Sequence, residues 1–232
     1  MKTIQSVDRT VTLLDTIAQH PGEYTLSELS RVLNLPVTTL HGFCATLEYW
    51  KLLQKNESGR FILGYRLFHY SLSFNAEQQL IASVHPYLVS LTRQFNETFH
   101  LGIVRDDKVI YIDKSEPSKP YRMTSVVGNM DEYYNSAIGM IVLAGRGSLI
   151  PAEHLKNCND MQRDGYCLKF ESEMDAYCLA VALLGNTAGI NIVLPRHRYT
   201  PFLCQQIVDA MRAVDKALLE ESRYPLSWSQ NK

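Results

Sequence analysis

Residues Thr25 to Cys44, TLSELSRVLNLPVTTLHGFC, limit the fold more than any other stretch, because they spell two short helices and the turn between them. Thr25 is a helix-capping residue type, and Glu28 stands where it can close a capping box. Leu26, Leu29, Val32 and Leu33 repeat at helical spacing and give the first helix one apolar face. Asn34 tolerates the left-handed conformation that ends a helix, and Pro36 suits the first position of the next, where a missing N–H costs nothing. Leu40, Phe43 and Leu47 then face inward, which leaves Thr38, His41, Gly42 and Ala45 outward and Thr39 on the shoulder. Two helices joined this way are the layout of a helix-turn-helix. An ordinary helical hairpin shares the pattern, and the flanking sequence separates the two.

Before this stretch, Ser6 is placed to cap a helix with Asp8 in its first turn, and Val7, Val11, Leu14, Ile17 and Ala18 form an apolar stripe ending at His20-Pro21-Gly22. After it, Leu52 to Lys55 and Arg60 to Leu63 read as a hairpin around the turn residues Asn56-Glu57-Ser58-Gly59. Three helices closed by a hairpin make residues 1–65 a winged helix-turn-helix. Gly64 opens another helical stretch, Tyr65 to Phe74, with Leu67, Tyr70 and Phe74 spaced for packing, and Ala76 to Phe95 resumes as a long amphipathic helix. Residues 66–78 are expected to form a helical linker with apolar surface to spare for a dimer contact.

From Thr98 the hydrophobic period shortens. Thr98 to Val104 and Lys108 to Lys114 read as paired strands around Arg105-Asp106-Asp107, and Tyr121 to Val127 reads as a third. Ser136 to Ala144 reads as a buried helix, Tyr177 to Leu184 and Gly189 to Leu194 as a hairpin through Gly185-Asn186-Thr187, and Pro201 to Glu221 as an amphipathic helix using Ile207, Met211, Val214 and Leu218. Helices around an antiparallel sheet make residues 79–232 an α+β domain.

Composition excludes several classes. The chain of 232 residues is 46% hydrophobic and 20% charged, as soluble globular domains are, and its net charge of -1 carries no overall signature of a nucleic-acid binder. No apolar run approaches the ~20 residues that span a bilayer, and the N-terminus lacks the apolar core of a signal peptide, so a cytoplasmic location without membrane contact is expected. Cys44, Cys158, Cys167, Cys178 and Cys204 form no C-x-x-C pair, which predicts reduced, mostly buried thiols and neither a zinc site nor a disulfide framework. G-x-S-x-G, H-E-x-x-H and Walker patterns are missing and the histidines are scattered, so no enzyme, no catalytic residue, no metal and no cofactor is expected.

The stretches IQSVDRTVTLLDTIA (Ile4 to Ala18) and LSELSRVLNLPVTTLHGFCATLE (Leu26 to Glu48), with the wing SGRFILGYRLFHYS (Ser58 to Ser71), resemble the IclR-type transcriptional regulator family. The resemblance covers nearly the whole chain and is most specific over residues 4–71. It implies a winged helix joined to a GAF-like effector-sensing domain, a dimer or dimer of dimers, a palindromic DNA operator and a small organic effector. In many members basic residues open the recognition helix and recur along it; here those positions fall at Val37 and Gly42, and residues 36–50 contain no Lys or Arg. Residues 1–65 set six basic side chains (Lys2, Arg9, Arg31, Lys51, Lys55, Arg60) against six acidic ones. Base reading is therefore expected from Thr38, Thr39 and His41, by hydroxyl or imidazole hydrogen bonds and methyl contacts to thymine. Phosphate anchoring is expected from Arg9, Arg31, Lys51, Lys55 and Arg60, with Thr25 counted among the DNA-facing residues.

In the effector domain, the family stretch G-x-x-x-P-L-H-x-T-A-x-G-K falls on GNMDEYYNSAIGM, Gly128 to Met140, where Gly128, Ser136, Ala137 and Gly139 fit. Members that bind small oxo-acids are expected to hold them by backbone N–H groups at this helix start and by an Asp, a Cys and two Ser. Matched onward from Gly165-Tyr166, those positions fall at Lys169, Leu179, Asn191 and Val193. Ser136 and its helix start still suit an anion, but the changed anchors argue against a glyoxylate- or pyruvate-like acid. Lys169 beside apolar Leu179 and Val193 suits a larger organic acid or an aromatic ligand. The alternative is a pocket filled by its own side chains, with Tyr133 and Tyr134 as candidates, in a domain that only dimerises. For the whole chain the resemblance implies an operator-binding repressor modulated by a small organic ligand; the missing helix cations keep open a winged-helix module for protein interaction.

Overall fold

The computed structural model describes residues 2–106, 108–119, 126–148, 150–155, 158–159 and 161–221. It divides after Asn75 into two compact units. No helix among the described residues is long and apolar enough to cross a membrane.

The first unit runs α1 (Gln5–Gln19), α2 (Leu26–Val32), α3 (Val37–Tyr49), the hairpin β1 (Leu53–Lys55) and β2 (Phe61–Leu63), and α4 (Tyr65–Ser71). Leu13, Ile17, Leu29, Leu40, Cys44, Leu47, Leu53 and Phe61 form its core. Thr25 and Glu28 make the full capping box, and Asn34 takes φ 50° between α2 and α3. In the wing, Leu53 pairs with Leu63, and Asn56 Oδ1 accepts from the Ser58 and Arg60 N–H groups.

Four expectations here need correction. Ile4, not Ser6, stands at the N-cap of α1, and no side chain caps it; the Thr3 hydroxyl donates to Asp8 at the helix entry instead. The stripe of α1 is turned: Leu13 and Ile17 enter the core, while Val7 and Val11 are 54% and 50% exposed. A helix packs one arc of its surface, and the larger pair at i, i+4 fills it. Pro36 precedes α3 as its N-cap with ψ 137°, since its extended ψ lies outside the helix. Tyr70 and Phe74 are exposed: α4 buries none of its residues, and it ends at Ser71, short of Phe74. Gly64 is required where α4 begins: a Cβ there would lie 2.1 Å from the Lys51 carbonyl oxygen.

The second unit begins with α5 (Asn75–Phe95) and continues through β3 (Phe99–Arg105), β4 (Lys108–Ser115), β5 (Met130–Glu132), α6 (Ala137–Gly145), α7 (Met161–Asp164), β6 (Cys167–Glu171), β7 (Ala176–Leu183), β8 (Ala188–Pro195) and α8 (Pro201–Glu221). Its sheet has the order β5-β4-β3-β8-β7-β6, every neighbouring pair antiparallel. Of the strand expected over 121–127, residues 121–125 lie outside the described residues; the edge strand is β5. Strand β6 carries a lysine and a glutamate among apolar residues, which hid it from the hydrophobic pattern.

One face of this sheet packs against α5 and α8. Both helices supply apolar residues at helical spacing: Leu80, Val84 and Leu88 of α5 and Ile207, Met211, Val214 and Leu218 of α8 meet Phe99, Leu101, Ile103, Leu179, Ile190 and Ile192. The other face carries α6, itself buried from Ala137 through Val142. Helix and sheet approach closely there, since a Cβ on Gly102 or Gly189 would stand 3.0 or 2.9 Å from the Ile138 side chain.

Candidate nucleic-acid interface and effector wall

In the first unit the recognition surface is the outer face of α3. Thr38, His41, Gly42 and Ala45 are exposed, Thr39 is half-buried, and Val37 is exposed beside them. A Cβ at Gly42 would meet nothing within 4 Å, so the helix is bare at that point and nothing intramolecular demands the glycine. Threonine hydroxyls and an imidazole on a helix of this exposure are chemically able to read base edges.

The expected phosphate anchors divide into two groups. The Arg60 guanidinium donates to the Glu23 carbonyl oxygen and to Glu28 Oε2 at 3.1 Å, the same oxygen that accepts from the Thr25 N–H at 2.7 Å. These bonds, led by that from the Thr25 backbone, hold the Glu28 carboxyl below the usual range. Arg60 and Thr25 therefore lock the wing onto the start of α2. Phe61 strengthens the lock, its N–H donating to the Tyr24 carbonyl and its own carbonyl accepting from Gly22. Lys55 lies 3.9 Å from Glu48 and 5.0 Å from the centre of the Phe61 ring. Arg9, Arg31 and Lys51 make no ion pair among the described residues, and Lys51 is presented by a residue with φ 59° after α3.

One further cation belongs to this unit. Arg66 of α4 lies 4.8 Å from the Trp50 ring centre and donates to the Trp50 carbonyl oxygen. With Tyr49, Lys51, Tyr65 and His69 it lines an open cleft. Arg66 lies just past the hairpin, outside residues 1–65.

In the second unit the expected effector residues sit largely on one wall, the sheet face under the start of α6. Two cross-strand rows build it: Lys169, Cys178 and Val193 in one, Ala180, Asn191, His100 and Lys114 in the next. Leu179 is the exception and is corrected here. It points to the opposite face, among the apolar residues under α5 and α8, because adjacent strand residues alternate sides. Cys178 takes its place on the wall.

Ser136, Asn191 and His100 are buried polar residues, 3%, 4% and 4% exposed. The Ser136 hydroxyl makes no helix cap; it lies 3.0 Å from the Tyr111 hydroxyl, whose ring meets His100 edge-on at 5.8 Å. Burial, with the Lys114 cation adding to it, brings the His100 imidazole down to about 4, so it is neutral at pH 7. Burial likewise pushes the Tyr111 hydroxyl up and the Cys178 thiol up to about 12. Asn191 faces the His100 imidazole, and its side-chain hydrogen bond works against the fall in the His100 value, although by strict geometry its Oδ1 is left without a partner among the described residues. Lys169 pairs with Glu171 at 2.7 Å.

Ala137 and Gly139 serve packing as well as the helix start: a Cβ on Gly139 would lie 2.3 Å from the Tyr133 carbonyl oxygen. Tyr134 stacks on His154 at 4.0 Å, and Tyr133 packs against the α6 core. A separate open cavity lies at the other end of α6, lined by Ile141, Gly145, Met161, Asn186, Arg212 and Asp215 among others. Among the described residues no group of three or more His, Cys, Asp and Glu is disposed to hold a metal ion. His100 and Tyr111 escaped the sequence reading, although His100 alternates with Gly102 on a strand otherwise apolar toward its core.

Two family descriptions match the chain: the IclR helix-turn-helix domain over residues 6–57, and the bacterial transcriptional regulator IclR C-terminal domain over residues 74–157. The chain belongs to the IclR family. Its relatives by sequence include the transcriptional repressor IclR of Escherichia coli, 30% identical over 61% of this chain and 53% of that protein, and the regulator KdgR of the same organism, 28% identical over 95% and 94%. The chain spans little more than half the length of the curated relatives it matches first. In fold it is similar to an IclR homolog from Microbacterium hydrocarbonoxydans complexed with 4-hydroxybenzoate, at TM-score 0.73 and 19% identity, covering 93% of this chain and all of that one. The IclR family consists of transcriptional regulators rather than enzymes.

Proposed function

We propose that this IclR-family chain is a sequence-specific DNA-binding repressor that acts as a homodimer, or a dimer of dimers, on a palindromic operator, with its hold on DNA modulated by a small organic ligand. The observation that carries the first part is the exposed outer face of α3, where Thr38, Thr39 and His41 surround the bare backbone of Gly42. Arg9, Arg31 and Lys51 supply the phosphate contacts, with Lys55 and Arg66 beside them. Few cations per subunit make two-fold binding necessary, and each neutralised phosphate contributes about -0.9 to a shallow salt slope. Ile4, Val7, Val11, Leu14 and Ala18 follow a 3-4-3-4 spacing along α1, and the first three are exposed. That apolar seam suits a second copy of the same helix.

The ligand part rests on the wall of Ser136, Tyr111, His100, Asn191 and Lys169. Neutral hydrogen-bonding groups predominate there, and Asn191 Oδ1, held only loosely by His100, is placed to accept from a ligand donor. A larger organic acid or an aromatic ligand carrying a hydroxyl fits this chemistry, and a glyoxylate-like acid does not. That a homolog of the same fold binds 4-hydroxybenzoate supports the class.

The test is retention of sheared genomic DNA on the purified protein, followed by sequencing. Recovery of a few palindromic sites supports the reading. Retention no better than non-specific background, with and without aromatic acids, contradicts it and favours a winged helix that serves a protein partner, a role to which the engaged wing cations also point.

A further inference from the structure

Three of the five cysteines converge on the open edge of the effector sheet. Cys158 forms an isolated antiparallel bridge with Lys169 of β6, and bridge partners project to one side of a sheet. Cys167, two residues before Lys169 on the same strand, shares that side, and Cys178 stands opposite Lys169 on β7. The bridge is pinned by Asn159, whose N–H donates to the Leu168 carbonyl and whose Oδ1 accepts from the Leu168 N–H at 2.7 Å.

The two outer thiols touch. The Cys167 thiol hydrogen-bonds to the Cys158 sulfur, and the Cys158 thiol reaches the His154 carbonyl oxygen at 3.6 Å. They differ in access: Cys158 is half-buried, and Cys167 is fully buried. The Cys167 hydrogen bond and the Lys169 cation hold the Cys158 thiol below its usual range, whereas its contact with Cys158 and its burial push Cys167 up. A reachable sulfur with a buried thiol against it is the arrangement of an attacking and a resolving cysteine.

We propose that Cys158 and Cys167 are a peroxide-oxidisable thiol pair that closes into an intrachain disulfide at the edge of the effector sheet. The Cys158 thiolate attacks one oxygen of hydrogen peroxide, the O–O bond breaks, and Cys158 becomes a sulfenic acid as hydroxide leaves. The Cys167 sulfur then attacks the sulfenic sulfur, the S–O bond breaks, and the hydroxyl departs as water with the thiol proton. Two thiols are oxidised and one peroxide is reduced to two waters. The bond fastens the 158–159 segment to β6 beside Lys169, and it forms whether or not the chain binds DNA.

The experiment treats the full chain with hydrogen peroxide, alkylates the remaining thiols and digests with trypsin, which cuts between all three cysteines. The expected result is loss of two of the five thiols and a dithiothreitol-sensitive link between the Cys158 and Cys167 peptides. Cys158→Ser abolishes the loss; Cys167→Ser leaves a sulfenic acid on Cys158 that dimedone traps; Cys178→Ser leaves the link in place. Retention of all five thiols by the wild-type chain would overturn the proposal, as would a link joining Cys167 to Cys178, or dimedone labelling of Cys44 and Cys204 as readily as of Cys158. The wild-type arms need no variant to fold.

Discussion

The two faces of the six-stranded sheet are built to different ends. Under α5 and α8 every strand residue of the core is apolar, and the side chains of helices and strands pack together. Under α6 the same strands mix buried apolar residues, Val104, Val109, Ala180 and Val193 among them, with His100, Tyr111, Asn191, Lys169 and Cys178. Neutral polar groups in that setting stabilise little, since each exchanges a water hydrogen bond for an internal one. Both faces bury an apolar core, but only the one under α6 sets polar groups into it.

The sharpest way to break this comparison uses neighbours on β7. Leu179→Ala should lower unfolding free energy by about 2–5 kcal/mol, as deletion of a buried leucine does, and Cys178→Ala by about 1 kcal/mol or less. Urea titration of both variants checks it, and equal losses would show that the two faces bear the same load.

Acid gives the next largest effect. His100 has a folded value of about 4 against an ordinary 6.5, so above pH 6.5 it is neutral in both states and its contribution is complete. As pH falls from 6.5 towards 4 the unfolded chain takes up the proton first, and stability drops by at most roughly 3 kcal/mol. Tyr111, Asn191, Lys114 and Glu116 surround the ring, and the Asn191 hydrogen bond and then the Glu116 carboxylate work against the shift. A His100→Asn variant, followed by urea titration between pH 7 and pH 4.5, should show a flatter profile; an unchanged slope would assign acid sensitivity elsewhere.

Asn191→Leu probes the polar face for its purpose. Its stability should stay within about 1 kcal/mol of wild type, while any thermal shift given by an aromatic acid such as 4-hydroxybenzoate should disappear. Retention of that shift would remove the wall from the ligand site. The smallest effect belongs to α3, where Gly42→Ala, with open space around the new methyl, should gain about 0.5–1 kcal/mol. Thermal unfolding of the variant reads that gain, and its absence would mean that the α3 backbone is not helical at Gly42 in solution.

How much of this was legible in the sequence depends on period and exposure. The recognition helix was readable because Leu40, Phe43 and Leu47 repeat at helical spacing and leave Thr38 and His41 on the far side, although the structure buries Cys44 more fully than Phe43. The capping box at Thr25 and Glu28 was readable because it is local. Leu179 was placed on the effector wall by matching family positions onward from Gly165-Tyr166, and because a strand alternates sides at every step, a match one residue out lands on the opposite face, which is buried as well and gives no warning. Long-range partners were out of reach: nothing in the sequence near Arg60 announces that Glu23 and Glu28 claim it. Nor does the apolar count of α1 tell which arc packs, since Val7 and Val11 are as hydrophobic as the residues that do.

The most direct test of DNA reading by α3 is fluorescence anisotropy on a recovered palindrome, comparing wild type with Thr38→Ala/His41→Ala across a salt series. The account predicts that the double variant loses preference for the palindrome over a scrambled duplex and keeps the wild-type salt slope, because base contacts are removed and phosphate contacts are not. A double variant that still prefers the palindrome would show that this face of α3 does not read the bases.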